Sequence, residues 1–248
     1  MLYFFMLITS KSNPLIKKVA SLSDKKFRKQ LGLYVVEGLK TVNECILAGC
    51  LIENIICTEA AASGFNGAVI VSESVFKSIS SEVTPQGVMA IVRIPQNKII
   101  KPENRCLLLD RLQDPGNLGT VIRTANAAGY EDIYLINCTD PYSPKAVRAS
   151  MSGIFFVNLY QGSKEEILTA LNGVPLICAD MDGEDIFSFK APKRFCLCVG
   201  NEGAGISKEI KDTSDYKVKI PMRETCESLN AAVSAGIAMY TLNRNIER

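Results

Sequence analysis

A glycine-rich turn, Gly200-Asn201-Glu202-Gly203-Ala204-Gly205, follows the apolar run at residues 195–199. That is a strand ending in a loop whose backbone lies open to a ligand, with Asn201 and Glu202 held between the glycines. A second short strand, residues 216–220, stops at Pro221, and Ser228-Leu229-Asn230 then opens an Ala- and Ser-rich helix with Ser228 or a near neighbour as its cap. Two strand-end loops and a helix start in one short segment make a pocket of backbone amides and carbonyls suited to a small polar cofactor. The glycine order is G-x-x-G-x-G, the reverse of a dinucleotide fingerprint, and no Gly-Lys-Ser/Thr follows to make a P-loop. Upstream, Asp114-Pro115-Gly116-Asn117-Leu118-Gly119 is a turn feeding a helix, with Asn117 at the cap and Arg123 within two turns of it. Glu202 reads as a surface turn residue, as a carboxylate that orients Asn117 or Arg123, or as a participant in proton transfer.

Composition removes whole classes of chemistry. The chain of 248 residues has no histidine, which excludes imidazole bases, His-based triads and His-ligated metals. Nine cysteines, an odd number without a C-x-x-C pair and mostly inside apolar runs, read as buried reduced thiols of a cytosolic protein, and no metal site is expected. The net charge of +2 is small, but residues 1–40 carry eight Lys/Arg, Lys17 and Lys18 among them, against Asp24 and Glu37. Such a basic arm fits a polyanionic partner or a solvated helix face. The leading MLYFFMLITSK lacks a positive region before its apolar run and is too short to span a bilayer, so a soluble protein is expected, with Met6 an alternative start to Met1.

The elements that must carry these residues follow from periodicity. Residues 13–30 repeat apolar positions at helical spacing between lysines and predict one amphipathic basic helix. Strands are expected at 33–36, 52–57, 68–71 and 87–94 and helices at 39–48 and 74–79, so residues 1–95 form a small α/β unit. Residues 96–104 have the polar, proline-flanked composition of a linker. From 105 to 248, strands at 106–110, 132–137, 174–179, 195–199 and 216–220 alternate with helices at 118–128, 145–151, 164–171 and 229–243. That alternation gives a parallel, doubly wound sheet, with ligands at the carboxyl ends of its strands. Lys145 and Arg148 follow a strand end among hydroxyls, placed for phosphate contacts or for a solvated helix face.

The phrases NLGTVIRTANAAG (117–129), VGNEGAGIS (199–207), IPM (220–222) and SLNAAVSAG (228–236) resemble the three motifs of the SpoU/TrmH methyltransferases of the SPOUT class. The resemblance implies an α/β fold with a C-terminal trefoil knot, an exception to the general absence of knots. It implies transfer of a methyl group from S-adenosylmethionine to a ribose 2′-hydroxyl of ribosomal or transfer RNA, with 23S ribosomal RNA favoured, in a cytoplasmic homodimer paired through the catalytic domain. Arg123, Asn117, Glu202, Ser228 and Asn230 match catalytic positions, Arg123 as proton acceptor or as the cation that binds phosphate and stabilises the alkoxide. Gly200, Ile220 and Leu229, with Met222 nearby, match the cofactor's main-chain contacts. Lys145, Arg148, Lys17 and Lys18 are the expected RNA contacts. Tyr34, Glu37, Gly38, Gln86 and Gly87 resemble positions of a ribosomal-protein-like substrate-binding domain. Cys226 and Glu224 depart from the family's usual apolar residue and glycine. A non-catalytic RNA-binding factor with this fold, or a methyltransferase acting on a base, is the alternative.

Overall fold

Asn13 accepts a hydrogen bond from the Leu15 amide (2.9 Å) and Pro14 supplies the preset first position, so α1 (Pro14–Ser21) starts here. A computed structural model describes residues 7–246, and the alternative starts at Met1 and Met6 lie outside them. The single basic helix expected over 13–30 is two helices. Asp24 caps α2 (Lys25–Leu31) by accepting from the Lys26 amide at 2.7 Å, which stops the continuation of α1. The break places Arg28, one of the cations of the basic arm, in the interior.

Four strands follow, β1 (Leu33–Glu37), β2 (Ile52–Thr58), β3 (Val69–Val71) and β4 (Val88–Arg93), in the order β1-β4-β2-β3. Helices α3 (Leu39–Leu47) and α4 (Glu73–Ile79) connect them. This first sheet is mixed: β4 is antiparallel to both β1 and β2, and β2 is parallel to β3. The segment 95–104 has no regular structure, yet it is tied down. Tyr134 donates to the Ile100 carbonyl at 2.7 Å and Pro102 is buried.

The second sheet contains β5 (Cys106–Asp110), β6 (Asp132–Ile136), β7 (Asn158–Gln161), β8 (Leu176–Asp185), β9 (Cys196–Val199) and β10 (Tyr216–Lys219). Its order is β10-β8-β9-β5-β6-β7, all pairs parallel, with helices on both faces. Burial on both sides explains the unbroken apolar run of β5: Leu107 and Leu109 enter one core, Cys106 and Leu108 the other. Strand β7 and the short helix α8 (Lys208–Asp212) were not expected, because Asn158 and Gln161 make β7 polar at both ends and α8 is a single turn and a half.

Helices α5 (Pro115–Ala128) and α9 (Ala231–Arg244) pack on one face, with α6 (Pro144–Ala149) laid across α5, while α7 (Lys164–Ala170) and α8 contribute to the core on the other. Gly119 makes the α5–α6 approach possible: a Cβ there would lie 2.6 Å from Ala149 Cβ and 2.8 Å from the Ser150 amide nitrogen. All nine cysteines are free thiols; Cys226 is the exposed one. No helix among the described residues is long and apolar enough to cross a membrane.

Candidate active site

The middle of β8, the carboxyl ends of β9 and β10 and the start of α9 enclose a crevice of about 260 Å³. Gly200, Ile220, Met222 and Leu229 all line it, as do Glu202 and Ser228. Its floor is the glycine loop. A Cβ at Gly200 would collide with the Gly205 and Ile206 main chain, so only glycine lets the loop fold back so tightly. Asn201 closes that turn, its Oδ1 accepting from the Gly203 and Ala204 amides at 2.9 Å each and its main chain pairing with Gly205. Among the described residues the amides of Ile220, Met222 and Leu229 donate to no chain acceptor, so they are free for a ligand.

Charge is uneven in the crevice. Asp180, Glu202 and Glu227 line it with Lys219, and since Asp180 is paired with Lys211, the lining keeps a slight excess of negative charge that favours a cation. Burial pushes the Asp180 carboxyl up, but the Lys211 ammonium and the Asp182 amide more than offset this and hold it below the usual aspartate range. Asp180 and Met181 were not anticipated from the sequence. They reach the crevice because residues 179–183 loop out of the β8–β10 pairing, where Lys217 faces Cys178 and Val218 faces Glu184. The sequence signal was the turn-forming pair Asp182-Gly183 just past the strand expected at 174–179. A Cβ at Gly183 would lie 2.6 Å from the Val218 carbonyl carbon, so the chain can rejoin the sheet only through glycine.

At the crevice mouth three side chains form a relay. Asn117 Nδ2 donates to Glu202 Oε1 at 2.6 Å, and Asn230 Nδ2 donates to Asn117 Oδ1 at 2.9 Å. One sequence expectation changes here and another is made specific. Asp114, not Asn117, caps α5, accepting from the Asn117 amide at 2.8 Å, because Pro115 occupies the first helical position. Of Ser228 and its near neighbours, Asn230 is the residue that caps α9, with Oδ1 accepting from the Ala232 and Val233 amides. Asn117 is thereby released to bond across to Glu202.

The structure brings Asn117, Glu202, Ser228 and Asn230 together, while Arg123 stands apart. It is exposed on α5, makes no hydrogen bond or ion pair among the described residues, and does not line the crevice of its own chain. Of the expected RNA contacts, Lys17 is exposed and makes no ion pair among the described residues, whereas Lys18 pairs with Glu53 (2.7 Å), Lys145 with Asp114 (2.8 Å) and Arg148 with Glu82 (2.9 Å). The Lys145 hydrogen bond, followed by the Asn117 amide, holds the Asp114 carboxyl below its ordinary value.

Fold and crevice define an α/β protein that presents main-chain donors at the ends of parallel strands, beside a Glu–Asn–Asn relay. Residues 104–240 match the model of the SpoU rRNA Methylase family, and residues 13–90 that of the MRM3-like substrate binding domain. The chain is 30% identical over 244 residues to the 23S rRNA (guanosine(2553)-2′-O)-methyltransferase RlmP of Bacillus subtilis (strain 168), covering 95% of this chain and 98% of that one. It also resembles the AdoMet-bound rRNA methyltransferase from Sinorhizobium meliloti, with a TM-score of 0.88 and 30% identity, over 96% of this chain and 97% of the other. A further likeness is to the SpoU methyltransferase AviRb from Streptomyces viridochromogenes in complex with AdoMet, with a TM-score of 0.83 and 25% identity, over 94% and 98% of the two chains. The chain belongs to the SpoU rRNA methylase family.

Proposed function

We propose that this chain transfers a methyl group from S-adenosylmethionine to a ribose 2′-hydroxyl of structured RNA, with 23S ribosomal RNA as substrate. The observation that carries the proposal is the relay from Glu202 through Asn117 to Asn230 at the mouth of an acidic, amide-lined crevice. S-adenosylmethionine, when bound, supplies an electrophilic methyl group on a sulfonium. The residues present fit it: the free amides of Ile220, Met222 and Leu229 would hold its polar atoms, and the surplus of carboxylates suits its cationic centre. Methyl transfer by in-line attack needs positioning above all. Asn117 and Asn230 fix the ribose side, and Glu202 sets the orientation of Asn117. Relatives named as ribosomal RNA 2′-O-methyltransferases support the choice of substrate.

Arg123 serves the crevice of a partner subunit in this proposal. The outer face of α9 supports a pairing surface, since Val233 and Tyr240 are half exposed at helical spacing with Ile237 between them. From there the Arg123 guanidinium binds the phosphate beside the target and stabilises the alkoxide as its proton leaves. Residues 1–95 recruit RNA, 96–104 link, and 105–248 form the catalytic unit, whose chain path includes the family's trefoil knot. Lys17, Lys18, Lys145 and Arg148 meet phosphates, because exposed ion pairs are worth about 1 kcal/mol or less and yield readily to a polyanion. The enzyme works in the cytoplasm, where its thiols stay reduced.

The experiment combines the purified protein with methyl-labelled S-adenosylmethionine and, in separate reactions, 23S rRNA and tRNA, then digests the products to nucleosides. Label on a ribose oxygen is expected; label on a base, or on tRNA alone, redirects the substrate assignment. Arg123→Ala should abolish transfer with S-adenosylmethionine affinity preserved, and mixing it with inactive Asn117→Ala should restore part of the activity. No restoration in proven mixed dimers refutes the shared site.

A further inference from the structure

We propose that Asp110 and Arg111 are positioning residues that set the conformation of the glycine loop and, through it, of Glu202; this rests on the crevice being the S-adenosylmethionine site. Asp110 ends β5 and is 2% exposed. Its carboxylate accepts from the Ser207 amide at 2.7 Å. Arg111 follows with φ of 59°, a left-handed conformation that costs a residue with a Cβ. In that conformation its carbonyl accepts from Asn201 Nδ2 at 3.1 Å, while its own Nη2 donates to the Gly205 carbonyl at 3.2 Å. Arg111 Nε lies 3.4 Å from Asp110 Oδ2 and is buried with no hydrogen bond of its own among the described residues.

Two consecutive residues thus grip the loop at Asn201, Gly205 and Ser207. Neither lines the crevice, so their influence passes through the loop. Glu202 is next in chain to Asn201, and any slackening there moves the carboxylate that Asn117 addresses. A strained backbone and an unsatisfied buried donor are tolerated at one residue when the conformation they enforce is needed. Fold stability alone would favour glycine at this φ.

Arg111→Gly separates positioning from folding, because glycine adopts this conformation freely but brings no guanidinium. In calorimetric titration with S-adenosylmethionine, R111G should bind about tenfold weaker or worse, the loss expected for a charged hydrogen bond. Relief of the left-handed backbone and loss of the cation beside buried Asp110 act on its thermal midpoint in opposite directions, so affinity carries the test. R111K, which keeps a cationic donor, should recover part of the affinity. D110N, which retains an oxygen for the Ser207 amide and loses the charge beside Arg111, should raise KM for S-adenosylmethionine and provides the same test if R111G does not fold. A merely structural role would lower the thermal midpoint and leave KM unchanged. Affinities of R111G and D110N within about twofold of the parent overturn the proposal. A parent chain without affinity for S-adenosylmethionine overturns the crevice assignment instead.

Discussion

Asn230 performs two tasks with one side chain: its Oδ1 caps α9 and its Nδ2 points the other way, to Asn117. Serine caps helices about as well as asparagine but is too short to reach Asn117 from the cap. Asn230→Ser should therefore change stability by no more than about 0.5 kcal/mol in thermal melts, while single-turnover methylation slows about tenfold or more. Parent-like turnover in N230S would reduce Asn230 to a cap. The same logic explains why the cap at α5 belongs to Asp114. With Asp114 taking the Asn117 amide, the Asn117 side chain is free to face Glu202.

At the scale of elements, the site depends on how closely α5 and α6 cross. Glycine to alanine inside an exposed helix is worth about 1 kcal/mol of added stability. At Gly119 the sign should reverse, because the new methyl would meet the Ala146 carbonyl, Ala149 and the main chain of Ser150. Gly119→Ala is expected to destabilise by about 1–3 kcal/mol, as overpacking does, and to shift the Asn117 end of α5. Denaturant unfolding checks the first expectation and methylation the second; a stabilised variant would show that α6 can move aside at no cost.

For the whole molecule, the two sheets are joined by buried contacts and not by the 95–104 segment alone. Arg28, 3% exposed, pairs with Asp140 at 2.7 Å and donates to the Leu22 and Ser23 carbonyls, so it ties the α1–α2 turn to the loop before α6. Tyr34 and Tyr142 pack across the same joint with ring centroids 5.0 Å apart. Arg148 adds a surface tie to Glu82. Removing one partner of a buried pair leaves the other uncompensated. Arg28→Met should then cost about 3–5 kcal/mol by denaturant unfolding, and it should loosen the first sheet before the second unfolds. A single unchanged transition would refute the tie.

By itself the sequence determined what local chemistry and periodicity can carry. The parallel second sheet, the glycine loop and the polar opening of α9 were legible in this way, since each depends on a run of apolar residues, a glycine or a breaker within a few positions. Gly200, Ile220, Met222 and Leu229 were instead singled out as cofactor contacts through the resemblance of their phrases to the family motifs. The tertiary structure decided what depends on partners distant in sequence. Asp180 reaches the crevice through a looped-out strand, Arg28 leaves a basic helix face for a buried pair with a residue over a hundred positions away, and Asp110 and Arg111 brace a loop from another strand. Arg123 was singled out by the family resemblance, and its position away from its own crevice was decided by packing, since a helix fixes the direction of a side chain only relative to its own axis.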